Sequence, residues 1–279
     1  MVPQNASHLF TLSCTPNHKP DTLGPMRWLT FDLDGTLADW PFRYLMRPHM
    51  EPLLAQPAIR AALREEYLNR LAQGDPTRVY DWGDIHRAVR EKLGLPPIFP
   101  NLLEVLAEAR FEHGMLYPDV PAGLAAFRSQ GYRIAVATNG LARYQQILVD
   151  KLAIPYDRML APDISQALKP DPAFWNPVRN ELADTIVHIG DLLSQDIWGA
   201  NGAGLVAVWI WRTMPQDWRA TPVHERTRRP DLDAVIAARV QSELEEHGFV
   251  GRVRPEAPPR PDYIVADLHE LQAVLLQAD

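Results

Sequence analysis

From residue 117 onward the chain alternates short apolar runs with amphipathic stretches. YRIAVAT (132–138), TIVHIG (185–190), LVAVWIW (205–211), DYIVAD (262–267) and the weaker DRMLAP (157–162) read as strands. The stretches DVPAGLAAFRSQG (119–131), LARYQQILVDKL (141–152), DPAFWNPVRNELA (171–183), SQDIWGANGAG (194–204) and LHELQAVLLQ (268–277) read as helices. Parallel strands joined by helices pack through right-handed crossovers, so the predicted fold class is α/β, a doubly wound, Rossmann-like parallel sheet.

The pattern differs upstream. LTFDLDGTLAD (29–39) begins as a buried strand, at 29–33, and then places Asp32 and Asp34 two residues apart. Between 39 and 116 no strand is evident. Ile59, Leu63, Tyr67 and Leu71 recur at helical spacing with a stop at Gly74. Ile85, Val89 and Leu93 repeat the pattern, with Asp81 as N-cap and Gly94 as stop, and NLLEVLAEARFEHG (101–114) follows as a third helix. The expected organisation is an N-terminal tail (1–26), an α/β core (27–38 and 117–279) and an all-helical insert (39–116). Within the core, residues 213–261 interrupt the alternation with seven prolines around one helix, DLDAVIAARVQSELEEHG.

Composition narrows the function classes. A net charge of −7 with pI near 5.7 argues against a nucleic-acid partner held by bulk electrostatics. No apolar run reaches the ~18 residues of a membrane span, and the N-terminus does not read as a secretory signal. The single Cys14 fits a reducing compartment, so we expect a cytoplasmic protein with no membrane partner, as a monomer or homodimer. Only four of the 28 basic residues are lysines (Lys19, Lys92, Lys151 and Lys169), which makes a lysine at a strand end informative.

The strand ends carry the chemistry. The first yields Asp32 and Asp34, the second Thr138 and Asn139, the turn before the 171–183 helix Lys169, and the strand at 185–190 Asp191 and Asp196. Carboxylates two residues apart on an extended chain face the same side and resist ionising together without a cation or a shared proton. Three ionised carboxylates (Asp32, Asp191, Asp196) and a phosphate dianion total −5, against which Mg²⁺ and Lys169 return +3. Such a set suits phosphoryl transfer: a carboxylate nucleophile, an acid/base partner, hard oxygens for Mg²⁺, and a hydroxyl and an ammonium for phosphate oxygens. His188, within TIVHIG, reads as a hydrogen-bonded core residue, and Trp40, Phe42, Arg43, Arg47 and His49 are candidates to line a pocket.

These motifs resemble those of the haloacid dehalogenase superfamily. Asp32-Leu33-Asp34-Gly35-Thr36 matches its D-x-D-G-T, Thr138-Asn139 its strand-ending hydroxyl, Lys169-Pro170 its lysine motif, and Gly190-Asp191 through Asp196 its G-D-x-x-x-x-D. The helical insert resembles a C1-type cap, whereas 213–261 departs from the pattern. The resemblance implies Asp32 as nucleophile and Asp34 as acid/base. It further implies Mg²⁺ on Asp32, the Asp34 carbonyl and Asp191 with Asp196 in support, and phosphate on Thr138, Asn139 and Lys169. The implied activity is Mg²⁺-dependent hydrolysis of a small phosphomonoester through an aspartyl phosphate. A phosphosugar mutase, a 2-haloacid dehalogenase and a non-catalytic phospholigand-binding protein are the alternatives on the same fold; Asp34 counts against the dehalogenase, whose family members lack the second acid.

Overall fold

The computed structural model describes residues 28–96, 101–111, 114–179, 186–251 and 254–276. Six parallel strands form one sheet in the order β3-β2-β1-β4-β5-β6. They are β1 (Trp28–Phe31), β2 (Arg133–Ala137), β3 (Arg158–Leu160), β4 (Ile186–Gly190), β5 (Val206–Ile210) and β6 (Tyr263–Val265). All four residues of β1 and all five of β4 are buried, which is why these runs read as mostly apolar rather than alternating. The expected doubly wound sheet is therefore present, and the expected tail at 1–26 lies outside the described residues.

Register places the chemistry. Phe31 pairs with Val136 of β2 on one side and with Ile189 of β4 on the other. Residues just beyond these pairs (Asp32, Thr138 and Asp191) therefore leave the sheet at the same edge. The chain winds outward from β1 in one direction through β2 and β3, and in the other through β4, β5 and β6. The crevice between β1 and β4 is the topological switch point at which such sheets bind ligands.

Between β1 and β2 the structure is helical: α1 (Pro41–Leu54), α2 (Pro57–Gln73), the single turn α3 (Pro76–Val79), α4 (Trp82–Lys92) and α5 (Leu102–Glu108), then α6 (Val120–Ser129) packing on the sheet. Gly74 ends α2 in the left-handed conformation, and the Asp81 side chain caps α4 by accepting from the Asp84 N–H. Helix α1 has no counterpart in the sequence reading. It carries Pro41 at its start and Pro48 and Pro52 within it, residues that ordinarily break a helix. Tertiary burial of Leu45 and Met46 against the core holds it nonetheless. Helix α5 stops at Glu108, short of the expected Gly114, where the Lys151 ammonium donates to the carbonyls of Ala107 and Ala109.

Among the described residues, the remaining α-helices are α7 (Ala142–Lys151), α8 (Pro162–Ser165), α9 (Asn176–Arg179), α10 (Trp198–Ala203), α11 (Gln216–Arg219), α12 (Val223–Arg226), α13 (Leu232–His247) and α14 (Leu268–Leu276), and a π-helical turn (Leu193–Ile197) leads into α10. The helix expected over 171–183 is a 3₁₀ turn (Pro172–Trp175) running into α9, and residues 180–185 lie outside the described set. Residues 213–261 form the crossover that the parallel β5–β6 pair requires. Met214, Trp218, Leu232, Ile236 and Val240 pack there with Trp209 and Ile264, giving this connection its own apolar core.

Candidate active site

Lys169 is the centre of the site. Its ammonium, 1% exposed, donates to Asp32 Oδ1 at 2.7 Å, Asp196 Oδ1 at 2.5 Å and the Ala137 carbonyl at 2.9 Å. Burial works against the charged lysine, but the carboxylates of Asp196 and Asp32 outweigh it and raise its pKa. Asn139 fixes the lysine backbone from both sides: its Oδ1 accepts from Lys169 N at 2.8 Å and its Nδ2 donates to Lys169 O at 3.0 Å. Nδ2 donates also to Gln195 Oε1 at 2.7 Å. Asn139, expected at the phosphate, thus has its side-chain amide bonded to the lysine loop and to Gln195.

Asp196 is bound on every side. Besides Lys169 it accepts from His188 Nε2 at 3.1 Å and from Leu192 N at 3.0 Å. Burial would raise its pKa, but Lys169 and then His188 hold it down to about 2. The wholly buried His188 also meets Thr30 Oγ1 through Nδ1 at 3.0 Å. Nδ1 lies 3.0 Å from the Thr30 carbonyl oxygen as well, and Nε2 faces Asp196. His188 is the hydrogen-bonded core residue the sequence indicated. The chain Thr30–His188–Asp196–Lys169–Asp32 runs from the sheet interior to its carboxyl edge.

The other acids differ. Asp34 Oδ1 and Asp191 Oδ1 are buried with no hydrogen-bond partner among the described residues. Burial, offset in part by Lys169, pushes both Asp32 and Asp34 up to about 7. Burial and then the Asp32 charge push Asp191 well above the ordinary carboxyl range. Oxygens of Asp32, Asp191 and Asp196 lie within 4.8 Å of one another. An all-oxygen cluster with orphaned acceptors and excess negative charge fits a hard divalent cation. Because the oxygens of Asp196 are engaged by Lys169, His188 and Leu192, Asp32 and Asp191 are the side chains of that trio best placed for it.

The loop after β1 is held from within and from outside. Leu37 N and Ala38 N both donate to Leu33 O, and Gly35 N donates to Ala38 O. Arg212, following β5, donates to Thr36 O at 2.6 Å and to both oxygens of Asp119, which also accepts from Leu268 N. Thr138, 2% exposed, accepts from Gly140 N at 3.0 Å through its hydroxyl oxygen, which leaves the hydroxyl proton to donate.

Above the acids lies a cavity of about 700 Å³ reached by Asp32, Asp34 and Thr138. Of the residues singled out in sequence as pocket candidates, Trp40, Phe42, Arg43 and Arg47 line it, and His49 is not among its lining residues. Tyr80, between α3 and α4, and Gln195, in the segment after β4, also line the cavity. Sequence gave no signal for them. Gln195 is an unspecified position between Asp191 and Asp196, and Tyr80 lies 48 positions beyond Asp32 in an unremarkable turn.

A family model for haloacid dehalogenase-like hydrolases matches residues 26–204, and the chain belongs to that family. Its curated relatives are phosphatases. The glyceraldehyde 3-phosphate phosphatase of Methanopyrus kandleri is 29% identical over 204 residues, covering 67% of this chain and 84% of the relative. Among solved structures, the magnesium-bound HAD-hydrolase YfnB of Bacillus subtilis superposes with a TM-score of 0.54 at 17% identity, covering 90% of this chain and 98% of that one. A 2-haloacid dehalogenase from Pseudomonas syringae pv. Tomato gives 0.58 at 22% identity over 91% of this chain and all of that one. At these identities the structural likenesses establish the fold. Among the described residues, no helix is long and apolar enough to cross a membrane.

Proposed function

We propose that the protein is a Mg²⁺-dependent phosphomonoesterase acting on a small phosphorylated metabolite through an aspartyl phosphate. The observation that carries this reading is the pair formed by Asp32, fastened through one oxygen to Lys169, and Asp34, whose buried Oδ1 has no partner among the described residues. A nucleophile needs a fixed orientation, and an acid/base needs freedom to exchange a proton with its ligand.

In this reading Asp32 attacks phosphorus as the bond to the leaving oxygen breaks. Asp34 gives its proton to the departing alkoxide, then takes one from the water that attacks the aspartyl phosphate. Phosphate leaves and Asp32 is regenerated. Thr138 donates its hydroxyl proton to a phosphate oxygen, and the Lys169 ammonium balances the charge on phosphate. Asn139 contributes by holding the Lys169 backbone, and Asp196 by orienting the ammonium. Asp32, the Asp34 carbonyl and Asp191 would hold Mg²⁺, which when bound supplies charge neutralisation between nucleophile and phosphate. Residues 39–116 serve as the cap over this site.

The test is a phosphate-release screen over phosphorylated metabolites with and without Mg²⁺, on the wild type and on Asp32→Asn. The amide keeps the shape of Asp32 and loses its attacking charge, so release should vanish in a variant that stays folded by circular dichroism. Near-native release from Asp32→Asn would overturn the assignment, and product that keeps its phosphate would indicate a mutase.

A further inference from the structure

The cavity above Asp32 and Asp34 is larger than a three-carbon phosphate ester needs. At about 700 Å³ it falls within the roughly 300–1,000 Å³ of pockets that enclose drug-sized ligands. Much of its wall is aromatic and thioether: Trp40 just before α1, Phe42, Met46 and Met50 on α1, Tyr80 at the end of α3 and Trp82 at the start of α4. The rings of Tyr80 and Trp82 are held by aromatic neighbours. Trp82 stacks on Tyr67 with centroids 6.0 Å apart and meets Tyr80 edge-on at 6.5 Å. Away from Asp32 and Asp34, the lining charges balance, Arg43 and Arg47 against Glu51 and Glu246, which is a poor clamp for a second anionic group.

Trp40 supplies an independent observation. It is 36% exposed, and its backbone sits in the left-handed region at φ 48° and ψ 57°, where a bulky side chain is disfavoured. Glycine or asparagine would accept that conformation readily, and Trp40 makes no side-chain cap for α1. Strained backbone of this kind concentrates at ligand sites. Leu54, 39% exposed, opens on the same cavity, so two large apolar side chains sit partly bare at one mouth.

We infer that the alcohol carrying the phosphate bears a planar aromatic or heteroaromatic group, received by Trp40, Phe42, Tyr80 and Trp82. The inference rests on the phosphomonoesterase reading and names the substrate class for it. A π face on the substrate matches the rings, and the methionines adapt to its edge.

The test compares kcat/KM for phosphate release from 2-phenylethyl phosphate, adenosine 5′-monophosphate and glycerol 3-phosphate. All three are esters of primary alcohols, so differences report binding of the group beyond phosphate. At least one aromatic ester should exceed glycerol 3-phosphate by about tenfold or more, the equivalent of one to two ring contacts. The better of the two tells whether the ring is a nucleobase or an aryl group. Trp40→Gly should reduce that preference several-fold, mainly through KM, with the thermal midpoint retained because glycine accepts the backbone. Equal or better turnover of glycerol 3-phosphate, or a preference unmoved in Trp40→Gly, would overturn the inference. If no ester is hydrolysed, the phosphomonoesterase reading fails, and calorimetric binding of the same three esters to Asp32→Asn decides this one: tighter binding of an aromatic ester supports it and equal binding ends it.

Discussion

Gly35 lies so close to the Asp191 carboxylate that a Cβ on it would stand 2.4 Å from Oδ2 and 2.8 Å from Cγ. The same residue has φ +78°, a conformation that L side chains rarely adopt. Two requirements meet at one position: the turn after Asp34 needs a left-handed residue, and the acid arriving from β4 needs the space a side chain would fill. Gly35→Ala should therefore destabilise the fold by about 1–2 kcal/mol through the backbone alone. Displacing Asp191 should also cost on the order of 100-fold in turnover. Thermal unfolding and phosphate-release kinetics on the variant measure the two effects separately; unchanged values for both would contradict the crowding.

Asp34 is expected to act on the leaving group. Nitrophenolate needs little protonation as it departs, whereas an alkoxide needs a great deal. Asp34→Asn should slow single-turnover alcohol release from an alkyl phosphate at least about tenfold more than nitrophenol release from p-nitrophenyl phosphate, each relative to wild type. Both substrates pass through the same phosphoenzyme, so steady-state rates would mask the difference. Equal slowing of both releases would leave Asp34 a structural or metal-positioning role.

Removing the cation should stop turnover. The orphaned Asp191 Oδ1 and the approach of Asp32, Asp191 and Asp196 oxygens within 4.8 Å of one another describe a compact oxygen site. Chelation of Mg²⁺ should abolish phosphate release, and Ca²⁺ should restore it poorly, since its coordination is longer and looser. Full activity in excess chelator would point to metal-free chemistry.

Asp119 links stability to pH. Burial raises its pKa, but the Leu268 N–H and the Arg212 guanidinium more than offset this, leaving it below the ordinary carboxylate value. A group depressed in the folded state contributes stability above its unfolded pKa of about 3.9 and loses that contribution as the pH falls through the folded value. Asp119→Asn should cost about 3 kcal/mol near neutrality, the scale for breaking a buried pair. The gap from wild type should narrow below about pH 4, as followed by urea denaturation across the acid range. A gap that stays constant into acid would exclude the charge as its source.

Much of this architecture was legible because local chemistry and tertiary structure point the same way. Mostly apolar runs such as WLTF and IVHIG announce strands buried on both faces, and Gly74 by its left-handed backbone and Asp81 by its side-chain cap mark helix ends locally. Helix α1 was not legible, because Pro48 and Pro52 argue locally against a helix that only packing of Leu45 and Met46 sustains. The acids and Lys169 could be read from their place after strands. The commitment of Asn139 to the Lys169 backbone could not, since it joins positions 30 apart through a fold no local window contains. Tyr80, Gln195 and the crossover role of 213–261 were hidden for the same reason.

Helix α13 is fastened at two points within its last two turns. The Glu243 carboxylate accepts the backbone N–H groups of Leu193 and Ser194, in the loop that carries Asp191 and Asp196, and the His247 carbonyl accepts the Tyr67 hydroxyl from α2. Helix α13 thus ties the segment after β4 to the helical insert. Swinging the helical insert away from the sheet must either break the Tyr67–His247 bond or tug on the backbone beside the acids. The connection between β5 and β6 thus touches both the segment after β4 and α2, and its Glu246 and His247 line the cavity.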